Sequence, residues 1–343
     1  MHIFIDETGT FTGTGTSFAP SLVGALIIPD AKIDEVKRRY EKIRRRFRKE
    51  RGEVKGRLLN EEQVRAVVDM LRRNEVLFKA VMIDLANHTD VELSEHKRLQ
   101  GELFSSSLTD EHHPSIHAGV AALKRQLEAM PIQLYVQSVI NFEILNDILD
   151  RATLYYVQRR PQELAAFHWV VDAKNKGNGI TKWEEWWSFC SSFMLQSKSF
   201  RKPARLLKGE DYSFFERSFG AEALDEYMQQ FVHPIPSGED IHPIDIKKVL
   251  GESFRFSSDP EWGLELVDIV SNAVRRALKG NLNEGGWGLI PSLMIRRPRH
   301  YISVVALHRR DTQPKDINLI NVMNVFGRNG RDMLVPRRRL SRQ

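Results

Sequence analysis

Short apolar runs, each stopped by turn or acidic residues, alternate along this chain with stretches of three- and four-residue apolar periodicity. That alternation predicts strands interleaved with amphipathic helices. His2 to Ile5 is a first strand, ended abruptly by Asp6 and Glu7. Leu22 to Ile28 is a second, stopped by Pro29-Asp30, and the Gly/Thr-rich loop at 12–16 makes the pair a hairpin candidate. Ile33, Val36, Tyr40, Ile43 and Phe47 then recur at helical spacing, with basic residues on the opposite face. Asn60 and Gln63 form a capping box before a helix whose apolar stripe is Val64, Val67, Val68 and Leu71. Val76 to Leu85 is apolar on both faces and reads as a third strand. Residues 87–165 read as mostly helical, with helices over 118–130 and 142–158 and an alternating segment, Ile132 to Val139, that fits a strand. Phe167 to Val171 is another apolar run, ended by Asp172. Thr181 and Glu184 form a second capping box, opening an aromatic-rich helix to about Gln196. Pro234, Pro236, Ser237-Gly238 and Pro243 mark a loop, and Lys247 to Phe256 is the last core strand. Asp259 and Pro260 supply an N-cap and first helical position for a helix running to about Leu278. Beyond Gly280, Tyr301 to Leu307 reads as a late strand.

The expected fold is therefore α/β: a mixed sheet of five strands (2–5, 22–28, 76–85, 167–171 and 247–256) flanked by helices, with a helical insertion at about 87–165. Residues 281–343 are expected to pack on the same domain as an extension with a basic tail. A length of 343 residues admits two domains or one with an insertion.

The strand ends carry the candidate chemistry. A carboxylate at the exit of a buried strand is costly unless a cation compensates it, and hard divalent ions prefer oxygen ligands. Asp6 and Asp172 both occupy that position. Glu261, Glu265, Asp268 and Asn272 follow at spacings of four, three and four on an otherwise apolar helix, so they share one face. Glu53 and Lys55, two apart in extended chain, face the same way. Glu53 is a candidate ligand and Lys55 a candidate phosphate holder. Two divalent ions held by such a set bind the attacking water and the leaving oxygen of an in-line phosphoryl displacement, with Asp6 expected to bridge them. The expected ligands are Asp6, Glu7, Glu53, Asp172, Glu265 and Asp268, and the expected cofactor is a pair of Mg2+ or Mn2+ ions.

Charge adds a partner. Lys+Arg number 51 against 45 Asp+Glu, a net charge of +6 that is unevenly spread. The segment 37–51 is densely basic and includes Arg44, Arg45, Arg48 and Lys49; Arg296, Arg297 and Arg299 form a second cluster and Arg337, Arg338, Arg339 and Arg342 a third. Such patches suit nucleic acid, or equally a solvated helix face and tail. Cys190 is the single cysteine, which fits a reducing cytosol, and its aromatic surroundings make it a core filler. No signal peptide and no membrane span are expected. His113 and His117 are four apart, but Pro114 puts His113 at the helix cap, so no zinc role is expected for them or His112. The Trp residues at 183–187 fit a core at helical spacing. No phosphate-binding Gly-Lys-Ser/Thr loop and no Gly-x-Ser-x-Gly elbow is present.

In order and placement these motifs resemble the bacterial domain-of-unknown-function family 3800, which is similar to the ribonuclease-H-like superfamily. The shared elements are Asp6-Glu7-Thr8-Gly9, Glu53-Val54-Lys55, the strand-end Asp172 and the helix segment Leu264-Glu265-Leu266-Val267-Asp268, over roughly residues 1 to 280. Thr8 stands where the family has Ser and keeps the hydroxyl; Glu265 stands where it has Gln and adds a charge. The resemblance implies a ribonuclease-H-like mixed sheet flanked by helices and a candidate nuclease site; it supplies no substrate, and the function expected from it together with the acids is metal-dependent hydrolysis of phosphodiester bonds in RNA or DNA. A silent nucleic-acid-binding or partner-binding module of the same fold is the alternative, with homo-oligomer and partner protein both open.

Overall fold

Continuous apolar runs become strands here because helices cover the sheet on both faces, so neither face of a strand needs to be polar. The computed structural model describes residues 1–12, 18–106, 108–174, 179–201, 204–219, 241–242, 244–251, 253–297, 301–308 and 317–336. Most of the 12–16 turn, the loop around Pro234, Pro236, Ser237-Gly238 and Pro243, Arg299, and the tail from Arg337 lie outside the described residues.

The strands are β1 (His2–Thr8), β2 (Pro20–Ile28), β3 (Lys49–Glu50), β4 (Glu53–Val54), β5 (Leu77–Asp84), β6 (His168–Asp172), β7 (Ala204–Arg205), β8 (Ile241–His242), β9 (Arg255–Ser257) and β10 (Ser303–Val305). The main sheet has six strands in the order β10-β5-β2-β1-β6-β9, one more than expected, because β10 adds to the β5 edge. β1 and β2 pair antiparallel, β2 and β5 antiparallel, and β1–β6, β6–β9 and β5–β10 parallel. β3 and β4 form a short separate hairpin.

The helices are α1 (Ile33–Arg44), α2 (Glu61–Arg72), α3 (Asp90–Ser105), α4 (Pro114–Ala129), α5 (Ile132–Val157), α6 (Lys182–Arg201), α7 (Ile246–Gly251), α8 (Trp262–Leu278), α9 (Glu284–Trp287) and α10 (Ile317–Phe326). Side chains alternate along each strand, so the core splits in two. Ile3, Ile5, Val23, Ala25 and Ile27 pack with α5 and α6, whereas Phe4, Leu22, Leu26 and Ile28 pack with α1, α2 and α8. Leu319, Val322 and Phe326 of α10 join the second core. Asp147 of α5 binds the buried Lys79 of β5 at 3.2 Å and Arg151 at 2.9 Å, tying the long helix to the sheet. Both predicted capping boxes form, at Asn60/Gln63 and Thr181/Glu184.

Three sequence expectations are corrected. Ile132 to Val139 is the start of α5: from Val136 onward the buried residues come as adjacent pairs four apart (Ile140/Asn141, Ile144/Leu145, Ile148/Leu149), the pattern of one helical face rather than of an alternating strand. Lys247 to Phe256 is split, because Ile246, Val249 and Leu250 bury one helical face before the chain extends into β9. α8 begins at Trp262 with Glu261 as its cap residue, not at Asp259-Pro260; the Glu265 N–H makes the first helical bond to the Glu261 carbonyl at 3.0 Å. Among the described residues no helix is long and apolar enough to cross a membrane.

Candidate functional site

Strand parity decides where the acids emerge. Phe4 packs in the α8-side core, so Asp6, two residues on, leaves β1 on that face. Val170 packs in the same core, which puts Asp172 on the same face of β6. The two strands are parallel neighbours, with Ile5 paired to Val171, so both carboxylates exit at one edge. Asp268 comes to them from α8, whose remaining faces are buried against β1 and β2. Thr8 is buried beside the same helix and accepts a 3.4 Å hydrogen bond from Asn272 Nδ2.

The segment after β4 closes the site because residue 56 is glycine. The Gly56 N–H donates to Asp268 Oδ2 at 2.8 Å. A Cβ at that position would stand 2.8 Å from both the Asp268 carbonyl oxygen and the Ile269 Cα, which are backbone and cannot yield. Arg276 reinforces the approach by donating to the Leu59 carbonyl at 2.7 Å. Glu53 and Lys55 are thereby held next to Asp268, as an ion pair of 2.5 Å.

The electrostatics show a site short of positive charge. Burial, followed by the charges of Asp172 and Asp268, holds the Asp6 carboxyl well above its ordinary value, against the pull of Lys174 and Lys55. Asp268 is likewise raised, by burial first, although the Gly56 N–H and Lys55 oppose it. Burial works against the Lys55 charge, but Glu53, Asp268 and Asp6 outweigh it and hold the ammonium above the usual lysine range. Lys174 is a member of the site that sequence reasoning missed. It pairs with Glu7, and burial lowers it to about 8 although Asp6 and Glu184 pull the other way. Its loop is pinned by the Lys174 N–H donating to Glu184 Oε1 at 2.9 Å, so the α6 capping box also positions this cation. The available signal was a lysine two residues past a strand-end aspartate.

Two expected ligands, and a third acid of the predicted helix face, stand apart from the others. Glu265 is three residues from Asp268 but is held within the α1 side. Its carboxylate accepts from Tyr40 Oη at 2.8 Å, Arg44 Nε at 2.5 Å and the Val54 N–H at 3.1 Å, and the second Arg44 nitrogen completes the pair. It is an anchor joining α1, β4 and α8. Arg44 is spent on it and on the Gly52 carbonyl at 2.8 Å, unlike Arg45, Arg48 and Lys49, which are exposed. Glu7 emerges on the face opposite Asp6 by the same alternation, where Lys174 meets it. Glu261, on the predicted acidic face, is bound by Arg255 at 2.9 Å and by Ser257 at 2.6 Å. The expectation that Asp6, Asp172 and Asp268 crowd closely enough to share one ion is also corrected. Among the described residues, the one trio of ligating side chains whose atoms all lie within 4.8 Å of one another is His2, Asp30 and His168, at the opposite ends of β1 and β6. Like charges left to two lysines stay apart.

His113 caps α4 and, with His112 and His117, hydrogen-bonds to Thr109 and Ser115. Trp183, Trp186 and Trp187 are core residues, and burial pushes the Cys190 thiol up to about 12.

In comparison with known proteins, no family model, no curated protein and no solved structure matches the chain. The donor set itself passes a chemical test for a hard divalent cation. Asp6, Asp172, Asp268 and Glu53 offer oxygen only, and a buried carboxylate raised this far is one that the two lysines leave under-compensated.

Proposed function

We propose that the chain is a divalent-metal-dependent nuclease of ribonuclease-H-like architecture, hydrolysing phosphodiester bonds of RNA or DNA. One observation carries the reading: Asp6 and Asp172 lie at the same edge of adjacent parallel strands, Asp268 comes from the helix laid across them, and the charges of Asp172 and Asp268 add to burial in raising the Asp6 carboxyl. The strand order supports it. The β5-β2-β1-β6-β9 part of the sheet has β2 antiparallel to both neighbours and β1, β6 and β9 parallel, a mixed sheet as the family resemblance implies.

Asp6, Asp172, Asp268 and Glu53 are the residues that would hold Mg2+ or Mn2+. The ions when bound supply charge neutralisation and an activated water. Lys55, paired with Glu53 beside Asp268, would hold a non-bridging phosphate oxygen. Lys174 balances Asp6 and Glu7 and keeps the strand edge compact. Gly56 fixes the orientation of Asp268.

The silent-module alternative is favoured by the two lysines already paired with site carboxylates. Incubating the chain with single-stranded RNA, duplex DNA and an RNA–DNA hybrid, with Mn2+ or Mg2+, separates the two. The nuclease reading expects metal-dependent cleavage that Asp6→Asn and Asp172→Asn each reduce by at least about 100-fold. No cleavage of any substrate, together with no Mn2+ binding by calorimetry, supports the silent module.

A further inference from the structure

We infer that His2, Asp30 and His168 form a second metal site, for a borderline ion of the zinc class, at the far ends of the strands that carry Asp6 and Asp172. The inference does not rest on the nuclease reading. His2 opens β1 and His168 opens β6, and the two are paired in register on parallel neighbours, so their side chains rise on one face. Their rings stack with centroids 4.6 Å apart and planes 27° apart. Asp30 reaches them because β2 pairs His2 with Ile28, which brings the turn after β2 back over the start of β1. His2 Nε2 lies 2.9 Å from Asp30 Oδ1, and one ligand atom from each of the three residues falls within 4.8 Å of the others.

That spacing suits coordination by one ion. Zn–N and Zn–O distances of about 2.0–2.2 Å place the ligands of a tetrahedral ion roughly 3.3–3.5 Å apart. Closing from at most 4.8 Å to that spacing takes side-chain movements of about an ångström. The Asp30 side chain is 65% exposed and turns on its own torsions. Its backbone, by contrast, is fixed: the Asp30 N–H donates to Glu163 Oε2 at 2.5 Å and the Ala31 N–H to Glu163 Oε1 at 3.3 Å. Glu163 is itself buried, so the turn that presents Asp30 is clamped to the sheet end before any ion arrives. Two imidazoles on paired strands and a carboxylate on a clamped turn make a site that side-chain rotations can close without refolding.

The donor types select the metal. Two imidazoles and one carboxylate suit Zn2+, Co2+ or Ni2+, whereas the oxygen-only group at the other strand end suits Mg2+ or Mn2+. Three protein ligands leave a fourth position, and here it faces a cleft of about 520 Å3 that His2 and His168 line with Lys37, Arg255 and Trp262. Water or a small anion would take that position. The ion would join β1, the turn after β2 and β6, so its binding stabilises the fold by linkage.

The test is a titration of the metal-stripped full chain with Co2+, followed by visible absorption, beside thermal melts in Zn2+. The expected result is one Co2+ per chain with the intense absorption of a four-coordinate ion. A melting rise of about 4 °C is expected at a free Zn2+ concentration about 100 times Kd. His168→Gln and Asp30→Asn should each weaken Co2+ affinity by more than about 100-fold, beyond what outer-sphere partners are worth. Asp30→Asn is exposed enough to leave folding intact, so the loss cannot be a folding failure. Asp172→Asn and the paired change His113→Gln/His117→Gln should leave the spectrum unchanged. No cobalt absorption at stoichiometric ion overturns the site, and so does a spectrum that survives His168→Gln but is lost with His113 and His117.

Discussion

Asp6 holds a charge that its surroundings resist, and that resistance gives the most direct test of its role. Its carboxyl is raised above the ordinary value of 3.8 by burial and by Asp172 and Asp268. A group raised in the folded state favours folding when protonated. Its contribution is therefore fully present below the ordinary carboxylate value and is lost as pH climbs through the raised one. Asp6→Asn removes that loss while keeping an oxygen for the Glu7 N–H, which Asp6 Oδ1 accepts at 2.7 Å. Without divalent ions the variant should melt at or above wild type at about pH 7, and its advantage should vanish below about pH 4. With saturating Mg2+ the order should reverse, because only wild type gains the ion. An Asp6 that served only to hold the Glu7 N–H as a carboxylate predicts instead a loss of about 1 kcal/mol at neutral pH, where a charged acceptor becomes a neutral one. Melting curves of both proteins across pH, with and without Mg2+, measure the difference. At this scale Asp6 and Asp172 were legible because a polar residue at the end of an apolar run is anomalous in one dimension. Glu265 and Asp268 were not separable, because three residues on one helix differ by some 60° of rotation and only the packed helix shows which acid meets Arg44 and which meets Gly56. Lys174 was missed because a lone lysine after a strand has no sequence signature.

The elements are joined to the site through unusually close backbone approach. Gly56 lets the chain after the β3–β4 hairpin lie directly on α8, and the Glu265 anchor fastens the hairpin from the other side through the Val54 N–H. Gly56→Ala should therefore lift the segment, withdraw a hydrogen bond from Asp268 and displace Glu53 and Lys55 together. The expected cost is about 1–3 kcal/mol of stability, as for other overpacked sites. A Mn2+ affinity loss should accompany it, read by calorimetry, although no ligand has been removed. Unchanged Mn2+ binding in a destabilised variant would show that the hairpin is scaffold only. The strands and the two capped helices could be read from sequence because run length, caps and breakers all agreed there. Ile132 to Val139 misled because its alternation also contains the four-residue ladder that continues to Ile148, and eight residues are too few to tell the periods apart. The split at 247–256 has the same origin: Ile246, Val249 and Leu250 suit one helical turn, and three-residue β9 owes its existence to pairing with β6. β10, equally short, is a strand because it pairs with the exposed edge of β5.

On the scale of the whole molecule, the proposed nuclease would need a path by which an anionic polymer reaches the acids without being repelled by them. Arg45, Arg48 and Lys49 are exposed on the segment leading into the β3–β4 hairpin, and Lys49 pairs across it with Val54, next to Glu53. Arg44 belongs to the fold instead, since Glu265 and Gly52 occupy it. A phosphate backbone lying along 45–49 would thus run directly toward the carboxylates. Each phosphate contact releases counterions and adds about 0.9 to the slope of log K against log salt on duplex, or about 0.7 on single strands. Replacing Arg45, Arg48 and Lys49 together with Gln should therefore flatten the measured slope by roughly 2–3 and weaken binding most at low salt. Cleavage at saturating nucleic acid should be nearly unchanged, because these residues place the polymer without touching the scissile group. Asp6→Asn should do the reverse, abolishing cleavage while leaving the slope in place. Fluorescence anisotropy over a range of salt concentrations, beside single-turnover cleavage, reads both quantities. An unaltered slope in the triple variant would mean that the basic stretch is a solvated surface and that the polymer approaches the strand edge from another side.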